Sequence, residues 1–462
     1  MMITMVMRAL RPTVTAIACC FAIAWPASGA AQSWMYVAWQ PRAFPSDVSV
    51  GLTELEVGSA GPIAVRRTVS LPGSMRSSPV ITFDGRYVAW IVAESVGVVE
   101  RVALFDRRTG SATLLDPPLN GYTRAVRADP TALRIFIVGT DGTGSLGWIT
   151  VLEPDGRRQI PIARVFAVGP LSSDGTELFV IHRSTTDDPP TYSIGAIDPL
   201  TGTTTRAFEL PDPKSTLHDL ALSRDGRRLF VSHQSGTSML LSVLDVATGA
   251  QVASRDVPPG FLGAVSWSIG SIGVDDQGDR LFLARRYLTA TLFSGSCSIV
   301  LDTTTLQTVG EGHGTFHVVD RVQRLVVGLE IGGSRGGVGC ARAVFETWAD
   351  AATPISSVSA SPGFSGCSSP ALATGPEAPT ITTHVVSGRR VTVQWSSVPG
   401  AIDYQVEAGT GTGLSNLGQR RVGATTTLSV DDVPSGTYYF RVRAVNEVGA
   451  GVAATDRVIV VP

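Results

Sequence analysis

An all-β chain is predicted, repeat-built over most of its length and ending in a separate small sandwich. Three observations predict it: a turn phrase that returns every 44 to 51 residues, a hairpin phrase in step with it, and a change of pattern near Glu377. Hydrophobic residues make up 44% and charged residues 16% of the 462 positions, which suits a folded chain and argues against disorder. That length exceeds what one compact core usually serves, so two or more units are expected.

The first phrase is an apolar strand, an acidic turn often followed by Gly, a basic residue, and a second apolar strand. It runs Val80-Ile81-Thr82-Phe83-Asp84-Gly85-Arg86-Tyr87-Val88 and returns at Asp174-Gly175, at Asp225-Gly226-Arg227-Arg228-Leu229-Phe230 and at Asp276-Gln277-Gly278-Asp279-Arg280. Weaker copies at Asp129-Pro130 and Asp320-Arg321 complete acidic anchors spaced 45, 45, 51, 51 and 44 residues apart. The second phrase is a β-rich strand ending in an acid, then Thr-Gly or Asp-Gly. It reads Leu104-Phe105-Asp106 with Thr109-Gly110, Val151-Leu152-Glu153 with Asp155-Gly156, Ala196-Ile197-Asp198 with Thr201-Gly202, and Val243-Leu244-Asp245 with Thr248-Gly249, before Val300-Leu301-Asp302. Each is a hairpin signal, because Asp bonds the backbone two residues on and Gly accepts positive φ.

Two hairpins per period make four strands, the size of one β-propeller blade. Ser173-Asp174-Gly175 and Ser223-Arg224-Asp225-Gly226-Arg227 make the pattern resemble the secreted bacterial propeller repeats of the TolB-like and YVTN-like kind, akin to WD-type repeats. The resemblance covers about residues 33–374 and implies the fold while saying little about function. A sandwich series or a β-helix would not keep two phased hairpin signals over six periods. Trp34-Met35-Tyr36-Val37-Ala38-Trp39 aligns with Tyr87-Val88-Ala89-Trp90, a second strand, so the first blade begins without its innermost strand. Ser368-Ser369-Pro370-Ala371-Leu372-Ala373 echoes Ser77-Ser78-Pro79-Val80-Ile81-Thr82, an innermost strand. The expectation is therefore a seven-bladed β-propeller over 33–374, closed by a C-terminal strand near 368–374.

Beyond Glu377 the period stops. Val391-Thr392-Val393-Gln394-Trp395 alternates with Trp395 inward, and Gly436-Thr437-Tyr438-Tyr439-Phe440-Arg441-Val442-Arg443-Ala444-Val445-Asn446 resembles strand F of a fibronectin type III domain. Two-residue alternation turns Tyr438, Phe440, Val442 and Ala444 inward, and Tyr438 takes the tyrosine-corner position. A fibronectin type III β-sandwich over 377–462 is expected, serving as spacer or docking module; no Arg-Gly-Asp supports adhesion.

Residues 1–31 read as a signal peptide. Arg8 and Arg11 precede an apolar run, Thr13 to Trp25, of 13 residues, too short to span a bilayer, followed by small residues at Pro26-Ala27-Ser28-Gly29-Ala30-Ala31. A secreted or periplasmic chain with no membrane span after signal removal follows. Three cysteines then remain, Cys297, Cys340 and Cys367, allowing one disulfide in an oxidising compartment. Cys340–Cys367 would staple the ring where it closes, with Cys297–Cys340 as the rival pairing.

Chemistry is sparse. Gly332-Gly333-Ser334-Arg335-Gly336 fits G-x-S-x-G, but a nucleophile elbow needs a strand-to-helix turn that this connection does not offer. His218 and His313 each lie seven residues before an anchor, Asp225 and Asp320, so equivalent places near the mouth of the central channel are expected, with Asp219 and His317 close by. Tyr122, Arg124 and Trp267 are further rim candidates by offset. Imidazole and carboxylate around an open funnel suit a divalent metal or a general base; the plainer reading is polar rim residues. No catalytic residue, metal or cofactor is assigned. A net charge of -2 gives no reason to expect nucleic acid. The expected function is non-enzymatic binding or scaffolding toward a protein or glycan partner in the envelope or outside the cell; the alternative is a metal-assisted lyase or hydrolase built in the funnel.

Overall fold

The computed structural model describes residues 33–462 except 42–48, 58–63, 95–98, 117, 120, 142–145, 164, 185–189, 210–211, 213, 259–263, 275–277, 279, 290–293, 314, 321–324, 330–343, 349–353, 360–363 and 368–370. The expectations placed on 1–31, on Gly332 to Gly336 and on Cys340 lie outside the described residues. For Trp267, Cys297, His313, His317 and Cys367 the backbone alone is described. Every regular element among the described residues is a β-strand. The chain divides into two compact units, Ala31–Pro376 with Asn446–Gly449, and Glu377–Val445 with Ala450–Pro462.

In the first unit, seven antiparallel sheets follow one another among the described residues. The third to seventh sheets are four-stranded meanders. Their first two strands are Tyr122–Ala128 and Ile135–Thr140, Ala167–Leu171 and Leu178–Arg183, Thr216–Leu222 and Arg228–Ser235, Ala264–Val274 and Arg280–Thr289, and Thr315–Asp320 and Leu325–Leu329. The second sheet opens on two short pieces, Ser74–Met75 and Val80–Ile81, both paired to Tyr87–Ala93. The first sheet holds Ser33–Pro41, Ser49–Val57 and Ala64–Pro72, and its leading edge is covered by Phe364–Cys367 and Ala371–Ala373. The register pairs Trp39 with Cys367, Tyr36 with Ala371 and Trp34 with Ala373, so backbone groups of an otherwise open edge are satisfied. From Ala371–Ala373 round to Thr315–Asp320, the first strands of successive sheets pack side by side, as the innermost strands around a propeller's central channel do.

Burial follows hydropathy outward from that channel. Tyr87–Ala93 and Ile135–Thr140 are buried almost throughout, as runs of consecutive apolar residues covered on both faces should be. The fourth strands Gly156–Ile162, Thr204–Phe208 and Gln251–Asp256 are largely exposed and polar. The cores lie between neighbouring sheets: Tyr36 and Leu52 meet Trp90 and Phe105, Phe179 meets Leu229, and Phe230 meets Leu281. Each such side chain contributes on the order of 1.5–3 kcal/mol by leaving water.

The repeated turn has one geometry at three sites. The hydroxyls of Thr82, Ser172 and Ser223 each donate to Oδ1 of Asp84, Asp174 and Asp225 at 2.6 Å. The same hydroxyls accept from the amides of Tyr87, Glu177 and Arg228 at 2.9 to 3.0 Å. Gly85, Gly175 and Gly226 follow with φ of 74, 75 and 70°, a region open to Gly at little cost.

The second unit is a two-sheet sandwich. One sheet orders Ile381–Ser387, Arg390–Trp395 and Thr427–Val430; the other orders Gly418–Arg421, Asp403–Gly409 and Gly436–Val445, with Ala450–Ala453 and Arg457–Val461 both on Gly436–Val445. Trp395, Tyr404, Phe440, Val442 and Ala444 share its core. The Tyr438 hydroxyl donates to the Pro434 carbonyl at 2.9 Å.

A candidate binding site at the channel mouth

The first strand of each of the third to seventh sheets breaks its ladder once or more, and these breaks shape the channel. In the third sheet Thr123 pairs with Gly139 and Ala125 with Val138, leaving Arg124 as the extra residue. In the fifth, Leu217 pairs with His233 and Asp219 with Ser232, leaving His218. In the sixth, the residue left over between Ile269 and Ser271 is Gly270. Arg124, His218 and Gly270 each stand four residues before the end of their strand, so they are structural equivalents. The fourth sheet breaks between Val168 and Leu171, across Gly169-Pro170, and the seventh between Phe316 and Val318, at His317. A bulge kinks the strand and leaves backbone groups without ladder partners.

Charged side chains satisfy some of those groups across sheets. The Arg127 guanidinium donates to the carbonyls of Val168 and Gly169 in the fourth-sheet break, both at 2.9 Å. Asp219 accepts from the Leu220 amide at 2.9 Å and, across to the sixth sheet, from the Ile272 amide at 3.0 Å. Burial pushes the Asp219 carboxyl above the ordinary aspartate value, against the pull of those amides and of Arg127. Burial likewise lowers Arg127, with the Asp219 charge opposing it. Both groups hold the channel wall together.

The rim is different. Tyr122 opens its strand and is 49% exposed, and Arg124 is exposed with no side-chain partner among the described residues; between them the Thr123 amide donates to Glu100 Oε2 at 2.7 Å. His218 is half-buried; its Nε2 is shielded from solvent and has no hydrogen-bond partner. Burial lowers its pKa, which favours the neutral imidazole.

Sequence reading missed His233. It pairs with Leu217 and is 4% exposed; Nε2 lies 2.8 Å from Ser242 Oγ, while Nδ1 has no partner. Burial lowers its pKa, with Asp212 opposing and His218 reinforcing, so the two imidazoles sense one another. The only signal was a His ending the apolar run Leu229-Phe230-Val231-Ser232.

The structure corrects the expected equivalence of His218 and His313. His313 is the last residue of the outer strand Thr308–His313, paired with Cys297, whereas His218 lies in a first strand. The cause is the turn. Asp320 pairs with Leu325 five residues on, as Ser223 pairs with Arg228, so Asp320 stands two residues before the Asp225 position. Asp129, bonded through its amide to the Arg134 carbonyl, is displaced in the same way. Trp267 lies in the first strand of the sixth sheet opposite Tyr287. Arg124, His218, Asp219, Trp267 and His317 therefore share the ring of first strands, and His313 does not. Among the described residues no three His, Cys, Asp or Glu side chains gather as a metal would need, and no helix is long and apolar enough to cross a membrane.

These sheets, ordered around one channel, give the chain an all-β architecture of β-propeller type. Solved structures similar to it share 11 to 15% identity, too little to carry more than a likeness of fold. A protein of Bacteroides uniformis described as a candidate 6-phosphogluconolactonase matches with a TM-score of 0.50 and 13% identity, over 72% of this chain and 98% of that one. TolB of Acinetobacter baumannii matches at 0.43 and 13%, over 74% and 66%. The β-propeller domain of the Trilobed protease of Pyrococcus furiosus matches at 0.42 and 15%, over 70% and 97%. No protein-family model matches the chain, and no curated protein does.

Proposed function

We propose that the chain is an exported, non-enzymatic binding protein, a seven-bladed propeller whose channel mouth receives a protein or glycan partner. The observation that supports binding over catalysis is the occupation of the channel's charged groups. Both Asp219 oxygens accept backbone amides and Arg127 serves three carbonyls, so both groups are committed to holding the wall. Exposed Tyr122 and Arg124 are left for a partner. Export rests on the basic-then-apolar run from Arg8 to Trp25. The sandwich is read as a fibronectin type III spacer or docking module, on its strand order, buried Trp395 and the Tyr438 bond to Pro434. A Cys340–Cys367 bridge beside the paired strands of the first sheet would add on the order of 3 kcal/mol by closing a loop of about 27 residues.

The test immobilises the mature chain and challenges it with envelope fractions, untreated, protease-treated or periodate-treated. Saturable retention is expected, abolished by one of the two treatments and weakened about tenfold, or about 1.4 kcal/mol, in a Tyr122→Ala, Arg124→Ala double variant. The unpaired ring nitrogens of His218 and His233 favour the enzyme alternative. Chelator-sensitive turnover of an ester, lactone or uronate substrate, lost in His218→Ala, would establish that reading instead.

A further inference from the structure

We infer that the channel mouth between the third and fifth sheets is a site for an oxyanion, a carboxylate or a phosphate carried by a small molecule; this rests on the binding reading above. Arg124 and His218 are the extra residues of equivalent bulges, set on first strands two sheets apart. Between and beyond them the ladder breaks at Gly169-Pro170 and at Gly270.

Three groups around this opening have side-chain donors without a partner among the described residues. Arg124 is exposed and has no ion pair among the described residues; the nearby Glu100 carboxylate, which accepts from the Thr123 amide at 2.7 Å, is itself paired with Arg76. Tyr122, two residues before it, is 49% exposed, and its hydroxyl has no partner among the described residues. His218 Nε2, turned away from bulk water, lacks the partner that a shielded ring nitrogen needs. Asp219 adjoins His218 in sequence, and both its oxygens are held by the Leu220 and Ile272 amides while Arg127 lies within its field. It does not neutralise Arg124. Arg124 therefore brings an exposed guanidinium without an ion pair among the described residues to the mouth. An oxyanion would give the guanidinium a planar, two-point partner and the imidazole an acceptor for an Nε2 proton.

Isothermal titration of the mature full chain with citrate and with inorganic phosphate at low ionic strength tests this. Saturable binding of at least one is expected, the stronger of the two naming the oxyanion. Arg124→Gln should weaken it ~10-fold or more, with the unfolding transition unchanged because Arg124 is exposed and unpaired. His218→Gln should weaken it as well, and the His218 ring nitrogen resonances should move on titration in the wild type. Wild-type binding no tighter than that of Arg124→Gln, or binding that leaves His218 unperturbed, would overturn the assignment. Envelope-partner retention measured on the same preparations separates the two readings. Retention without anion binding overturns this site alone, and loss of both overturns the binding reading too.

Discussion

The hydroxyl of Ser223 joins three parts of one turn, donating to Asp225 and accepting from the Arg228 amide. Ser223→Ala removes a charge-assisted bond and strands a ladder amide, so a loss of about 1–3 kcal/mol is expected in urea unfolding. The same bonds, from Ser223 and from the Arg227 amide, hold Asp225 below the usual 3.8, as Ser172 and the Thr176 amide do for Asp174. Because the folded value is depressed, this stabilisation is complete above pH 3.8 and is lost as pH falls through the lowered values. Asp219 has the opposite sign. Its raised value means the folded chain holds that proton longer, so its term removes stability as pH climbs from 3.8 through the raised value. Urea midpoints across acid pH should show Asp225→Asn flattening the acid-side loss and Asp219→Asn flattening the opposing slope. Leu306 shows two effects in competition. It takes the position of Gly110, Gly202 and Gly249 in the second hairpin turn, at φ 55°, yet is 6% exposed inside the core between the fifth and sixth sheets. Relief of left-handed strain is about 1–2 kcal/mol. Loss of the buried side chain costs about 2–4 kcal/mol once the cavity is included. Leu306→Gly should therefore destabilise, and a gain in melting temperature would contradict that weighing.

At the scale of the strand, the bulge is the unit that matters. Arg127 fills the carbonyls freed in the fourth-sheet break, so Arg127→Met should cost about 2–4 kcal/mol and speed amide exchange across Ala167–Leu171. An unchanged exchange rate there would mean the cross-sheet bonds are dispensable. Strands, hairpins and the twin turn phrases were legible in the sequence because Ser-x-Asp-Gly chemistry is local: every bond of the turn closes within six residues, Ser223 to Arg228. Ladder register was not legible. A one-residue bulge leaves no mark in a two-residue alternation of Leu217-His218-Asp219-Leu220, and an acidic anchor can sit at either of two turn positions, as Asp129 and Asp320 do. Hence Arg124 and His218 were found by offset, His313 was misplaced by two residues, and His233, on a second strand, was missed.

At the scale of the molecule, a ring of first strands places one short segment of each sheet around a single opening. Wall and mouth then divide the labour. Arg127 and Asp219 are held by backbone groups of adjoining sheets, while Tyr122, Arg124 and His218 keep donors unoccupied. On the proposed reading, such a division would suit a rigid receptor whose opening, rather than its polar outer strands, is the face that recognises. Hydrogen–deuterium exchange of the mature chain with and without its retained partner tests that claim most directly. Slowed exchange concentrated at residues 122–124 and 216–219 is expected. Protection confined to the outer strands or to 377–462, with the mouth unchanged, would contradict it.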